Sequence, residues 1–505
     1  MSQTECAQQL ELFQVGRQEV VVDFKGEGIV SDCGLLPIRQ LDQRLGILAE
    51  AARRMADPRD QDNVKHSAEE LLAQKVYFIL GGYEDGNDAK LLRNDPLMKT
   101  LVGRSPDDDD LASTSTLNRF FHAYTRREAH LDEADRCTLQ ECQTAQIDRI
   151  KGLNEFLIDT FVRTRRAMPE RIVIDLDPTD VTAHGHQQLT FWHGYYDQNQ
   201  YFPMLIFEGE TGMPLAAWLR PGKVGAACGA VDMLQEVVER IRSHWPQVKI
   251  QVRGDNGMAS PEMYEFCESR EFEYCLGYAT NARLKRYVQE QELEYEAKFL
   301  WWMTRRPSQV FRNIEDYQAE SWTRARRVIT KVEVTEKPEL NTRFVVTNMT
   351  GDAAEIYRGF YVKRGDVPER CIGELKNGLS LDRLSSSRFL ANGQRLLCAV
   401  LAYLLWSLFR EANEETPELK TMEVTTARAR LFKVGGMVTS TTRRVVLSVS
   451  SHWPWRKMYE QAVWAVSTFV AELISTWQLG GLLPGVAAAQ TGGLLTMTLA
   501  QPLIK

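Results

Sequence analysis

At 505 residues the chain is too long for one hydrophobic core, and it predicts roughly two to four domains. Its 44% hydrophobic and 26% charged residues are those of an ordinary soluble globular protein. A net charge of −7, from 61 basic and 68 acidic residues, gives no global signal for a nucleic-acid partner and leaves that question to local basic stripes.

The nine cysteines are odd in number and contain no Cys-x-x-Cys pair, which argues for reduced, mostly buried thiols of a cytosolic protein. The polar start MSQTECAQQL does not read as a signal peptide. The most apolar run, Leu396 to Phe409, falls short of the ~20 residues that span a bilayer, so a buried helix is expected there and no membrane partner.

In chain order, residues 1–30 look extended, with strand-like Val20 to Phe24. Gln40 to Met55 and Ser67 to Leu80 carry apolar residues at helical spacing, and Gly81-Gly82 breaks the second. Ser113 to Phe121 reads as a capped helix start bearing Arg119, a candidate DNA contact as much as a solvated face. Residues 135–167 predict one long amphipathic helix, which leads into a strand at Arg171.

A meander of strands is expected at Leu189 to Tyr196, Tyr201 to Phe207 and Pro214 to Leu219. A helix (Ala226 to Ser243), a strand (Val248 to Val252), a helix (Pro261 to Ser269) and a strand (Phe272 to Gly277) follow. Residues 280–355 interrupt this pattern with Trp- and Arg-rich text in which alternating strands are expected. Trp301, Trp302, Trp322, Arg324, Arg326 and Arg327 lie there. Helical text resumes at Ala354, with a helix over Asp366 to Asn377 and a strongly apolar one over Phe389 to Glu411. Residues 421–460 hold seven Lys or Arg against two Glu. Arg428, Arg430, Lys433, Arg443 and Arg444 are candidates for DNA contact, with a solvated helical face weighing equally. The tail 479–505 is expected to be loose.

The chemistry gathers on three stretches. Arg171-Ile-Val-Ile-Asp175-Leu-Asp177-Pro178 is a buried strand ending in carboxylates, with Asp175 and Asp177 on one face and Pro178 as its stop. A carboxylate buried there is costly unless it is paired or binds a cation. The strand at Val248 runs into Arg253-Gly254-Asp255-Asn256-Gly257. If the two strands are neighbours, Asp177 and Asp255 come within reach of one ion. The later helix carries Tyr361, Arg364, Glu369 and Lys376, and the last two share one helical face two turns apart. Alone, Asp366-x-x-Glu369 with Pro368 also reads as a helix cap.

Taken together, these stretches resemble the DDE transposases of bacterial insertion sequences, in particular the insertion sequence 1380 type. The resemblance runs through Gly82 to Ala89, Leu91, Arg93, Asp95-Pro96, Asp175 to Asp180 and His184-Gly-His186-Gln187. It continues through Gly194-Tyr195-Tyr196-Asp197, Arg253-x-Asp255-x-Gly257, Tyr361 to Lys376 and Ser387 to Asn392.

The resemblance implies an α/β, RNase H-like mixed-sheet catalytic core interrupted by a β-rich insertion, between a helical N-terminal DNA-binding region and a basic helical C-terminal region. The boundaries expected are 1–134, 135–279 (first part of the core), 280–355 (insertion), 356–411 (second part of the core, with the catalytic helix) and 412–505 (DNA binding and dimerisation). It makes Asp177, Asp255 and Glu369 the catalytic, metal-binding triad, with Asp175 the main rival to Asp177 and Glu374 the weaker rival to Glu369. The family signature Tyr-x2-Arg-x3-Glu-x6-Lys is met by Tyr361, Arg364, Glu369 and Lys376 with one departure: four residues, not three, separate Arg364 from Glu369.

Three carboxylates around two divalent ions make a phosphodiester-cleaving site, and hard oxygen ligands favour Mg²⁺ or Mn²⁺. Arg364 and Lys376 would hold DNA backbone, and Tyr361 a flanking nucleotide. The resemblance adds double-stranded DNA partners (terminal inverted repeats and target), nicking followed by 3′-OH strand transfer, hairpin ends, a homodimer on DNA and a bacterial, nucleoid-associated cytoplasmic setting. Relatives stack a flipped base on a Trp of the insertion, for which Trp301, Trp302 and Trp322 are candidates, although for any single one a place in the β-core is favoured. His184, His186 and His193 invite a zinc reading, but a structural or phosphate-contacting turn is preferred because the carboxylates are explained without zinc. Two alternatives stand beside the transposase: an inactive or domesticated DNA-binding relative, and a metal-dependent nuclease without strand transfer.

Overall fold

The computed structural model describes residues 10–15, 18–22, 28–55, 57, 59–122 and 133–480. The expectation of a loose tail falls beyond them, apart from its first two residues.

Strands are numbered in chain order: β1 (Leu10–Val15), β2 (Gln18–Val22), β3 (Ile29–Val30), β4 (Arg171–Pro178), β5 (Val181–Thr182), β6 (Phe191–His193), β7 (Gln198–Tyr201) and β8 (Met204–Glu208). The rest are β9 (Pro214–Trp218), β10 (Lys249–Gly254), β11 (Glu273–Tyr278), β12 (Ser308–Tyr317), β13 (Arg326–Val334), β14 (Leu340–Thr347), β15 (Gly436–Thr441) and β16 (Arg444–Val449). The main sheet has eight strands in the order β12-β13-β14-β11-β10-β4-β8-β9.

At its centre β4 lies parallel to β10, and β10 parallel to β11. β8 and β9 continue antiparallel on the other side of β4. The near-continuous apolar run of β4 fits a strand covered on both faces, and six of its eight residues are buried. The register sets Asp175 opposite Arg253 and Leu176 opposite Gly254. Asp177 and Asp255 each follow by one residue, so the two carboxylates leave the sheet side by side, as the strand reading required.

Several expectations need correction. The helix expected over Gln40 to Met55 is two helices, Leu36–Leu45 and Ile47–Arg54, because Gly46 takes a left-handed φ of 65° that ends the first. The strand expected from Leu189 to Tyr196 shortens to β6 and leaves the main sheet for a small one, β5-β7-β6. The insertion opens with two helices, Ala282–Glu290 and Leu293–Thr304, so Trp301 and Trp302 are helical. Its strands β12, β13 and β14 extend the main sheet through β14 beside β11. The C-terminal basic stretch is not purely helical: β15 and β16 form a hairpin that β3 joins.

The core helix Phe389–Ala412 is the most buried long helix, packed on the helices Ala68–Gly81, Glu133–Arg163 and Arg456–Gly480 and on β9. It is long and apolar enough to cross a membrane, but most of its surface is covered by these neighbours.

Candidate active site

Asp177 sits at the C-terminal end of β4, 7% exposed. Asp255 begins the turn after β10, where its Oδ1 accepts a hydrogen bond from the Gly257 amide at 2.8 Å. The third carboxylate comes from a helical run over residues 353–378. Three stretches of this run are π-helical: Ile356–Tyr361, Gly365–Glu369 and Glu374–Gly378. A π-turn accommodates one extra residue within a helix and is common at functional sites. The fourth residue between Arg364 and Glu369 is therefore absorbed by a wide turn that contains Pro368, which has no N–H to place in an α-helical ladder. The capping alternative fails, because the Asp366-x-x-Glu369 stretch lies inside the run and starts no helix.

That wide turn keeps Arg364 and Glu369 on one side. The Arg364 guanidinium bridges two carboxylates, with Nη1 at 3.2 Å from Asp177 Oδ2 and Nη2 at 3.2 Å from Glu369 Oε1. The Asp177 carboxyl is pushed up to about 7. Burial is the largest cause, and repulsion from Asp255, Glu369 and Asp175 adds to it against the pull of Arg364. Tyr361 lies on the same run, its hydroxyl against Gly277, where an added Cβ would stand 2.6 Å from it and 2.8 Å from the Asn256 nitrogen. A hydroxyl so close to the Asp255 turn requires glycine on β11. Lys376 reaches back to Asp180, just beyond β4, at 2.8 Å.

The two rival carboxylates have other duties. Asp175 is fully buried, and both its oxygens accept from Arg253, at 2.6 Å each. The same guanidinium donates to the Gly209 and Phe360 carbonyls, which ties β4, β10 and the helical run together. Glu374 accepts from Trp406 Nε1, Arg410 Nη1 and the Val424 amide, all at 2.9 Å. Both carboxylates are thus neutralised by a buried arginine inside the fold.

Other sequence candidates are dispersed. Trp322 is buried among Tyr264, Tyr278 and Tyr317, so it is a core residue and not a stacking plane. Arg326 is buried on Glu268, and Arg324 shares that carboxylate. Arg327 is spent on Asn313 and the Met349 and Gly351 carbonyls. Arg428 donates to the Leu80 and Ile79 carbonyls, and Lys433 pairs with Asp32 at 2.6 Å. Trp322 and Arg326 are buried and Arg428 is bound to backbone, whereas Arg324 keeps most of its side chain in solvent. Trp302, Arg119, Arg430, Arg443 and Arg444 are exposed, away from the carboxylates in sequence, and Trp301 is half-buried. Arg430 lies over Trp455 at 5.1 Å. His184 and His186 are exposed on a bend, and His193 stacks in an aromatic group.

Sequence reasoning assigned no role to Asp180, the partner of Lys376, or to Arg253, the counter-charge of Asp175. Asp180 lies three residues after Asp177 and Arg253 two before Asp255, and that closeness is the signal the sequence offers.

Among the described residues, no three His, Cys, Asp or Glu side chains stand together at metal-ligand spacing. Arg364 occupies the space between two of the carboxylates instead. The donor set still fits a divalent cation: three carboxylates with hard oxygens, one of them deeply buried and short of counter-charge.

Two buried parallel strands and a helical run thus place Asp177, Asp255 and Glu369 around one guanidinium in a mixed α/β fold. The protein family described as "Transposase DDE domain group 1" matches residues 13–470, and the chain belongs to that family of DDE-type DNA transposases. Such enzymes use divalent metal ions, and transposase relatives bind DNA. No curated protein matches the chain. Among solved structures it is similar to piggyBac transposase in a synaptic complex with hairpin DNA, at 9% identity and a TM-score of 0.41, over 92% of this chain and 87% of that one.

Proposed function

We propose that this transposase binds the terminal inverted repeats of an insertion sequence and carries out strand cleavage followed by 3′-OH strand transfer, with Asp177, Asp255 and Glu369 as the metal-holding triad. The observation that carries this is the Arg364 guanidinium held between Asp177 and Glu369, beside Asp255. A cation already bridges two of the three carboxylates and lies in the field of the third. Divalent ions bound there would supply an activated water or 3′-hydroxyl and a neutralised leaving oxygen. The chain's own contribution is placement. β4 and β10 fix two carboxylates through backbone pairing, and the buried Asp175–Arg253 pair holds the strands and the helical run in register. Arg364 and Lys376 then present guanidinium and ammonium groups to the DNA backbone, and Tyr361 lies against the Asp255 turn within reach of a flanking nucleotide.

The RNase H-like reading of the core is supported by the strand order β9-β8-β4-β10-β11, with β4 antiparallel to β8 and parallel to β10. The insertion sequence 1380 type, a bacterial cytoplasmic setting, hairpin ends, a DNA-bound homodimer and the five-region layout belong to the same proposal and rest on the sequence motifs. The test is cleavage of a supercoiled plasmid carrying the element's ends with Mg²⁺ or Mn²⁺. Wild type should release ends and give joined products, and Asp255→Ala neither. Equal products from both proteins overturn the triad. Cutting that ignores the ends and joins nothing assigns a nuclease instead.

A further inference from the structure

Beside the carboxylates stands a surface that none of these roles uses. The small sheet β5-β7-β6 carries four exposed aromatic side chains at or just after β6: Phe191, Trp192, Tyr195 and Tyr196. Tyr195 is 86% exposed and Trp192 56%, which is unusual for rings of this size on one short hairpin.

The rings form a supported ladder. Tyr195 packs edge-on against Tyr196 at 5.0 Å, Tyr196 lies 5.1 Å from His193, and His193 lies 5.5 Å from the buried ring of Phe202. The Arg220 guanidinium closes the inner end at 5.2 Å from Phe202, fixed by the Phe202, Ala226 and Cys228 carbonyls. Asp197 holds the turn with φ 55°, and its amide bonds the His193 carbonyl at 2.9 Å. The outermost ring is therefore presented to solvent by a stack anchored in the core.

The ladder is joined to the catalytic centre. β7 pairs with β6, placing Gln198 opposite His193. Gln198 Nε2 donates to Asp180 Oδ2 at 2.9 Å, and Asp180 holds Lys376 through its other oxygen. The Tyr196 hydroxyl feels the charges of Asp180, Asp255 and Asp177.

We propose that Trp192, Tyr195 and Tyr196 form a stacking platform for unpaired nucleobases of the DNA strand that enters or leaves the carboxylate centre. Base faces stack on aromatic planes with little regard to sequence. A strand whose phosphates meet Lys376 and Arg364 would turn its bases toward the neighbouring surface, which is aromatic with one exposed carboxylate, Asp197, at its turn. The inference rests on the DNA-cutting reading and adds a second contact region to it.

The test uses the full-length protein and a fluorescein-labelled oligothymidylate, compared with a duplex of equal length. Trp192→Ala combined with Tyr195→Ala should weaken oligothymidylate binding about tenfold or more, with duplex binding little changed. Tyr195→Phe should restore the tyrosine's share, because stacking needs the ring and not the hydroxyl. Photo-crosslinking with 5-iododeoxyuridine in the oligonucleotide should map to Trp192, Tyr195 or Tyr196. Unchanged affinity in the double variant, crosslinks mapping elsewhere, or a wild type that does not bind the single strand each overturns the platform. So does a fall in the protein's mass by light scattering with unchanged DNA affinity, which would make the patch a contact between copies. Asp255→Ala separates the two readings. If it retains oligothymidylate binding while wild type fails to cleave the plasmid, the platform stands and the catalytic reading falls.

Discussion

Breaking a buried ion pair costs about 3–5 kcal/mol, because the surviving charge stays uncompensated. Asp175→Ala strands Arg253, 1% exposed, against the sheet, so it should lower the unfolding free energy by about that much. Asp255→Ala removes a half-exposed carboxylate that takes a backbone amide, and should cost at most about 1–2 kcal/mol while abolishing cleavage. Denaturant unfolding of the two variants checks this, and equal losses would contradict the division of labour. Asp177 makes a separate pH prediction. An unfolded aspartate titrates near 3.8, whereas burial raises the folded group to about 7. Between those values the folded chain binds more protons than the unfolded one. This group's contribution to stability therefore falls as pH rises through that window and is fully unfavourable above 7. Asp177→Asn should stabilise the metal-free protein at about pH 8 by up to ~4 kcal/mol, and by less at about pH 5. Melting temperatures at both values read it, and a pH-independent difference would sink it. Strand alternation showed that Asp175 and Asp177 share a face, but not which one meets arginine, because that depends on register with a strand more than seventy residues away.

At the scale of elements, the helical run 353–378 works only if its π-turns hold their phase. Periodicity made the run readable as a helix, yet the extra residue between Arg364 and Glu369 looked like a defect, since α-helical spacing has no place for it. The wide turn supplies that place, a backbone outcome that side-chain patterns do not encode. The run is pinned at two points. Near its N-terminal half, Tyr361 presses on Gly277 of β11, and Gly277→Ala should displace the hydroxyl and the Asp255 turn. Cleavage should fall steeply, with unfolding free energy reduced by about 1–3 kcal/mol, as for overpacking elsewhere. Retained cleavage would show that the Tyr361 contact is dispensable. Near its C-terminal end Glu374 is the pin. Glu374→Ala leaves Arg410, Trp406 and the Val424 amide without their acceptor, so it should cost about 3–5 kcal/mol. Glu374→Gln keeps one acceptor oxygen and should cost less, a ranking that denaturant midpoints test directly.

Over the whole molecule, the core helix Phe389–Ala412 links what the sequence presents as separate regions. Its apolar text announced burial, but nothing in that text said which helices would cover it, because an all-round apolar helix has no favoured face. In the fold it touches the N-terminal helix Ala68–Gly81, the helix Glu133–Arg163, β9 and the C-terminal helix Arg456–Gly480, and through Trp406 and Arg410 it grips the helical run 353–378. Hydrophobic packing runs without a break from Val30 to Leu473 along these contacts. A cavity in this helix should therefore be felt at both ends of the chain. Leu401 is fully buried, and Leu401→Ala should cost about 2–5 kcal/mol. Hydrogen exchange should report the loss in the helices at 68–81 and 456–480 as well as in the core helix. Such coupling is what the shared core demands, since regions that lean on one helix cannot open independently of it. Faster exchange confined to the core helix would instead mean that the N- and C-terminal helices are held by contacts of their own, and that the chain unfolds in more than one step.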